Sequence, residues 1–186
     1  MNARKFISAA VISVSVLTGL TAAPASASPD QEAGERLTVT DSRVVEGKQI
    51  LTFDNGAKFT SGPPVENGIL SSFTWGAKFQ IGFNTRTYTS NTKGTHTFQT
   101  GGLQNLSGVW NAGCTDGASI EVTLYAEDWP TDAKIGTTRK LSCTNGGSTS
   151  WTNTSPDTFY YYVKVTGNWD SNDLYSRGLN GSVTYP

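Results

Sequence analysis

The sequence predicts an all-β fold, either an antiparallel β-sandwich or a jelly roll, in a single domain with one disulfide. Short runs that alternate apolar and polar residues recur along the chain, separated by turns rich in Gly, Asn and Pro. No long segment shows the apolar repeat of about 3.6 residues that marks a helix. Charged residues make up 16% of the chain and aromatic residues 11%, so a core can form without a highly charged surface.

The first 27 residues have the form of a secretory signal peptide. Arg4 and Lys5 precede an apolar run from Phe6 to Leu20, and Ala25-Ser26-Ala27 resembles a leader-peptidase site. The apolar run is shorter than the roughly 20 residues that a membrane-spanning helix needs. We therefore predict a secreted, extracellular protein that does not span the membrane.

The rest of the chain divides into a flexible N-terminal arm, residues 28–36, and one β-sandwich domain, residues 37–186. Pro29 and Gly34 break the polar arm. Without the leader, 12 basic residues face 15 acidic ones, a net charge of −3. Because phosphate contacts need clustered Lys and Arg, we expect no nucleic-acid partner.

The first hairpin of the domain is predicted from its turn. Leu37–Thr40 and Gln49–Phe53 are strand-like, and Asp54-Asn55-Gly56 is a strong turn signal. A three-residue loop with Gly56 left-handed pairs Leu51 with Phe59, which collects the apolar side chains on one face. A two-residue loop would scatter them, so we favour the longer one.

A four-residue repeat follows this turn. Gly56-Ala-Lys-Phe59 recurs as Gly76-Ala-Lys-Phe79, which we interpret as similar chemistry in successive hairpins. The segment between the two copies, Ser61–Gly68, is predicted to be a surface loop because it holds two prolines and two glycines.

The only histidine of the chain lies in a third predicted hairpin, Thr85–Thr89 against Thr95–Gln99. That pairing puts five threonines on one face, which suits the solvent side of a sheet or, less commonly, ice binding. His96 then lies opposite Tyr88 on the other face. We expect His96 to be a packed structural residue, since no nucleophile motif surrounds it, with a catalytic role as the alternative.

Two cysteines are predicted to form a structural disulfide. Ala118–Ala126 and Lys134–Ser142 are strand-like and form a hairpin if the residues between them turn. Cys114 and Cys143 then meet at its open end, and their separation fits no metal-binding motif.

The clearest strand is Thr158–Thr166, and Gly181–Tyr185 is a last strand. Alternation divides Thr158–Thr166 into one face with Phe159, Tyr161, Val163 and Val165 and a second, solvent-side face with Tyr160, Tyr162 and Lys164.

The aromatic residues in polar surroundings are the candidate binding site. Trp129, Trp151 and Trp169 stand beside Asp, Asn, Ser or Thr, and Tyr160 and Tyr162 extend the same kind of surface. Exposed indole rings stack on sugars while polar neighbours bond their hydroxyls. The sequence therefore predicts a non-catalytic binding protein for an extracellular polysaccharide or cell-envelope glycan. The competing interpretation is that these rings pack the ends of the sandwich.

Two other functions stay open. Glu127–Lys134 or Ser61–Gly68 could act as the inserted loop of a protein-interaction module such as a protease inhibitor. Glu121 or Glu127 could serve a small glycoside hydrolase. We expect no cofactor and no metal site, with a structural calcium ion near Asp170–Asp173 as an alternative. The partner is then an extracellular glycan or a secreted protein, and the sequence leaves the oligomeric state open.

Overall fold

Two antiparallel β-sheets pack face to face in the computed structural model, which describes residues 36–105, 114, 117–128, 131–166 and 177–186. This confirms the predicted fold class. The described residues form fourteen strands: β1 (Val39–Val45), β2 (Lys48–Phe53), β3 (Lys58–Ser61), β4 (Val65–Asn67), β5 (Leu70–Phe79), β6 (Gly82–Asn84), β7 (Tyr88–Ser90), β8 (Gly94–Thr100), β9 (Gln104–Asn105), β10 (Ser119–Ala126), β11 (Ala133–Ser142), β12 (Gly147–Thr154), β13 (Asp157–Thr166) and β14 (Arg177–Tyr185).

The two sheets differ in size, and we call them the large and the small sheet. The large sheet has the order β1-β2-β3-β5-β14-β8-β12, with β4 beside β5 and β9 beside β14. The small sheet has the order β11-β10-β13-β6, with β7 beside β13. The last strand, β14, lies between β5 and β8, so the large sheet is complete only when the end of the chain is in place.

An aromatic core fills the space between the sheets. Trp75 from the large sheet lies 5.6 Å from Phe83 of the small sheet, ring centre to ring centre. Phe98 and Tyr161 form a similar contact at 5.0 Å. All four rings are at most 4% exposed, so their burial contributes to holding the sheets together.

The first predicted hairpin is confirmed in its register. Leu51 pairs with Phe59, and the amide of Phe53 donates to the carbonyl of Ala57 at 2.9 Å. Gly56 has φ of 79°, a left-handed conformation in which a residue with a side chain is strained. The turn therefore has the three-residue form that the apolar pattern favours.

The disulfide hairpin is confirmed as well. Strands β10 and β11 pair from Ser119–Ser142 to Ala126–Ala133, and Cys114 is bonded to Cys143. On β10 the apolar side chains Ile120, Val122 and Leu124 point inward, and all three are fully buried.

The third predicted hairpin is wrong. Strand β7 pairs with β13 in the small sheet, whereas β8 pairs with β12 and β14 in the large sheet. The threonines of the two segments therefore form no common face. The predicted strand Thr95–Gln99 matches β8, whereas only the end of the predicted strand Thr85–Thr89 lies in β7. Alternation carries no information on whether a chain turns back or crosses to the other sheet.

The predicted surface loop Ser61–Gly68 is partly a strand. Val65–Asn67 forms β4, which pairs with the beginning of β5. Val65 is 53% exposed, which agrees with a surface position, and β4 extends the large sheet by only three residues.

Candidate functional site

The predicted aromatic site does not form as an exposed platform among the described residues. Trp151, Tyr160 and Tyr162 are 3%, 2% and 8% exposed, so the expectation that they face solvent is wrong. Trp129 and Trp169 lie outside the described residues. A ring that is almost fully buried cannot stack on a sugar in this conformation.

Non-local neighbours explain the burial. Tyr160 stacks on Tyr125 at 5.4 Å, donates its hydroxyl to Asp132 at 2.7 Å, and lies under the guanidinium of Arg36. Trp151, at the edge strand β12, packs on Tyr161 with ring centres 5.5 Å apart. The second face of β13 is therefore covered by residues that are distant in sequence. The alternation of side chains along a strand does not reveal whether distant residues cover a face.

His96 is fully buried and lies in the core, as expected for a structural residue. Its Nδ1 lies 3.0 Å from the Tyr88 hydroxyl, and its ring meets Phe159 edge-on at 4.5 Å. Burial lowers the pKa of His96 to about 4, so the neutral form is favoured. Among the described residues, no hydrogen bond joins His96 to a serine.

A groove of about 480 Å³ lies on the outer face of the large sheet. We call it the outer groove. Its floor is formed by Gly76 and Gly178, which face outward on the central strands β5 and β14. Its walls and rim are formed by longer side chains from neighbouring strands: Arg43, Ile50, Lys58, Thr60, Lys78, Gln104 and Asn180.

The groove exists because glycine stands where the sheet would otherwise carry side chains. Trp75, Ala77 and Phe79 point into the core from β5, so the alternate residues Gly76 and Lys78 point outward. A Cβ at Gly76 would meet only the Leu179 carbonyl oxygen, at 3.9 Å. The glycine is thus not required by crowding there, and its effect is to leave the floor open.

Two lysines dominate the electrostatics of the outer groove. Lys58 and Lys78 lie directly opposite each other on the paired strands β3 and β5, and both are exposed. Neither has an ion-pair partner among the described residues. Like charges directly opposite in a sheet repel, so an anion placed between the two ammonium groups would be stabilised.

A smaller cavity of about 180 Å³ adjoins the same pair. It is lined by Asn55, Gln80 and both lysines. The two ammonium groups therefore lie between two concave surfaces, each of which carries amide side chains. A ligand longer than one sugar ring can contact both surfaces.

The sequence contains a signal for this lysine pair, although the repeat by itself predicts only that successive hairpins are similar. Lys58 and Lys78 hold the same place in the repeats Gly56-Ala-Lys-Phe59 and Gly76-Ala-Lys-Phe79. In the structure the two repeats lie on neighbouring strands, so the repeated phenylalanines enter the core and the repeated lysines meet outside.

A second cavity, of about 320 Å³, lies beside β1 and the segment 84–87. Its charges are mixed, since Arg36 forms an ion pair with Glu127 within the lining. Arg86 adds a second cation to this lining, whereas the described lining of the outer groove contains no acidic side chain.

The two glutamates considered for glycoside hydrolysis are each paired with cations. Glu121 contacts Lys140 at 3.2 Å and Lys164 at 3.8 Å, while Glu127 contacts Arg36. Six residues of extended strand, roughly 20 Å, separate the two, which exceeds the spacing of about 5–10 Å in two-carboxylate mechanisms. They therefore do not act as one catalytic pair.

Within the described ranges no three His, Cys, Asp or Glu side chains group closely enough to hold a metal ion. The loop Asp170–Asp173, considered for calcium, lies outside those ranges. No helix in the described part of the chain is long and apolar enough to cross a membrane.

Comparison with known proteins identifies no family for this chain. No protein-family model and no curated protein matches the chain. A chain in the crystal structure of the T13 IBDV viral particle is similar, with 11% identity and a TM-score of 0.37. The similarity covers 74% of this chain and 39% of the viral-particle chain, so the present chain spans about two fifths of that protein. Identity and TM-score are too low for this likeness to bear on function.

Proposed function

We propose that this chain is a secreted, non-catalytic binding protein and that its ligand is an acidic extracellular polysaccharide held in the outer groove. The observation that carries the proposal is the lysine pair, Lys58 and Lys78, unpaired and opposed between two cavities. The disulfide Cys114–Cys143 agrees with an oxidising, extracellular compartment.

The groove offers each kind of contact that a charged sugar chain needs. The ammonium groups can bind carboxylates, and Arg43 adds a third cation at the rim. Gln104 and Asn180 can exchange hydrogen bonds with hydroxyls. The floor at Gly76 is low and weakly polar, which suits the C–H face of a sugar ring.

The same lining supports binding without catalysis. None of the described residues that line the outer groove is Asp, Glu, His or Cys. The described lining thus offers no carboxyl, imidazole or thiol group, and we assign its lysines to binding and orienting the ligand.

Isothermal titration with acidic and neutral polysaccharides tests the proposal. Polygalacturonate or alginate is expected to bind, dextran is not, and added salt should weaken binding because it screens the ammonium groups. The double variant Lys58→Ala/Lys78→Ala should lower the affinity about tenfold or more, since two charge-assisted contacts are lost.

The matched control is Lys93→Ala/Lys134→Ala, which removes the same charge from exposed positions outside the groove. Its affinity should stay close to that of the unchanged chain. Equal binding of dextran and polygalacturonate, or equal losses in the two double variants, would contradict the proposal. Retrieval of a protein and no glycan from culture medium would instead support the interaction-module alternative.

A further inference from the structure

Strand β1 leaves one edge of the large sheet open. It is the terminal strand in the described sheet order, and every one of its seven residues is exposed. An open edge is a template for another strand, because its outward N–H and C=O groups have no partner from the sheet.

The β1–β2 turn shows which backbone groups point outward. Glu46 and Gly47 both have positive φ, which marks a two-residue hairpin turn closed by the pair Val45–Lys48. Hydrogen-bonded and non-bonded pairs alternate from there along an antiparallel ladder. Ser42 falls on a non-bonded position opposite Leu51, so its N–H and C=O face away from β2.

The side chains of β1 are complementary to those of a second, antiparallel copy of β1. Asp41 and Arg43 flank Ser42 on the outer face of the sheet, and their side chains are 51% and 59% exposed. Their mutual contact within the strand is long, 3.9 Å. If two copies of β1 pair antiparallel about Ser42, each Asp41 stands directly opposite the Arg43 of the other copy.

Charge also selects this register over its neighbours. A two-fold axis at Asp41 would oppose two carboxylates, and an axis at Arg43 would oppose two guanidinium groups. The axis at Ser42 instead forms two ion pairs, one on each side of the axis. The charges of Asp41 and Arg43 therefore favour pairing with a second copy of this chain over pairing with the edge strand of another protein.

We propose that the chain forms a symmetric dimer by antiparallel addition of β1 to β1 about Ser42, which joins the two large sheets into one continuous sheet. The axis runs through the sheet, so both outer grooves lie on the same side. Two grooves on one face would bind a repeating polymer with increased avidity. The dimer itself does not depend on the proposed ligand.

Sedimentation velocity on the purified chain tests the dimer. The unchanged chain is expected to sediment as a dimer at high concentration. Arg43→Asp sets carboxylates opposite each other and should lower the association constant at least tenfold. Ser42→Pro removes the outward N–H and should also give monomers, since that N–H makes no bond to β2.

The charge-swapped variant Asp41→Arg/Arg43→Asp is the matched control. It restores both ion pairs with reversed polarity, so the dimer should return. A cooperative urea unfolding transition, measured at a concentration where every variant is monomeric, will show that each variant is folded. A monomer at every concentration overturns the proposal, as does a dimer that survives both Arg43→Asp and Ser42→Pro, or one that the charge swap fails to restore.

Discussion

His96 shows how a single buried residue links the two sheets. It lies on β8 of the large sheet, and Tyr88, whose hydroxyl lies 3.0 Å from its Nδ1, lies on β7 of the small sheet. Burial raises the pKa of Tyr88 well above its usual value, so the phenol stays protonated and can donate to the neutral imidazole. Which atom donates in this contact depends on which ring nitrogen of the neutral imidazole carries the proton.

This contact predicts a loss of stability in mild acid. Burial holds the pKa of His96 at about 4 in the folded chain, against 6.5 in the unfolded chain. Between these values the unfolded chain binds a proton that the folded chain does not, so stability falls as pH falls from about 6.5 to 4. The shift corresponds to about 3 kcal/mol in the free energy of unfolding. Urea unfolding followed by tryptophan fluorescence at several pH values measures it.

His96→Phe provides the comparison, because it keeps an aromatic ring and cannot titrate. Its free energy of unfolding should change less over the same pH range, by about the amount assigned to His96. If both chains lose stability in parallel, His96 is not the group responsible.

At the scale of elements, the β10–β11 hairpin is the part of the molecule that the sequence predicted most completely. Its apolar face, its pairing and its disulfide all follow from the local pattern, because the two strands are adjacent in sequence. Its neighbour across the sheet, β13, was predicted as a strand with two distinct faces, but the burial of the second face was not.

Removing the disulfide is expected to cost about 3–4 kcal/mol in the free energy of unfolding. The bridge closes a loop with a sequence separation of 29 residues, and its loss frees the unfolded chain. Cys114→Ser/Cys143→Ser should show this in urea unfolding without reductant. Dithiothreitol should destabilise the unchanged chain by a similar amount and leave the double variant unaffected. Equal stability of the two chains would show that the bridge adds nothing.

At the scale of the whole molecule, the outer groove is a product of strand order. Its lining comes from β1, β2, β3, β5, β9 and β14, which extend from near the start of the domain to its end. The chain is acidic overall, yet the groove is cationic, because folding brings Lys58 and Lys78 together on neighbouring strands. The net charge of the chain therefore does not predict the positively charged outer groove.

Filling the groove floor is expected to abolish binding without unfolding the protein. Gly76→Val adds a branched side chain where there is space and where a strand favours β-branched residues. Affinity for polygalacturonate should fall more than tenfold, while the free energy of unfolding changes by no more than about 1 kcal/mol. Titration calorimetry and urea unfolding give the two values.

Thr74→Val is the control, since Thr74 is exposed on the same strand two residues away and does not line the groove. It should bind as the unchanged chain does. Normal binding by Gly76→Val would place the ligand elsewhere on the molecule.

The sequence by itself determined the fold class, the turn at Asp54–Gly56 and the disulfide hairpin. These depend on short-range alternation, on glycine conformation and on pairing between neighbours in the chain, and the pattern of residues records all three. Tertiary structure alone decided that β7 and β8 belong to different sheets, that Trp151, Tyr160 and Tyr162 are buried, and that two lysines meet over a glycine floor. Those features depend on which distant segments lie beside each strand. A periodicity of two residues distinguishes the two faces of a strand, but it does not predict which residues cover each face.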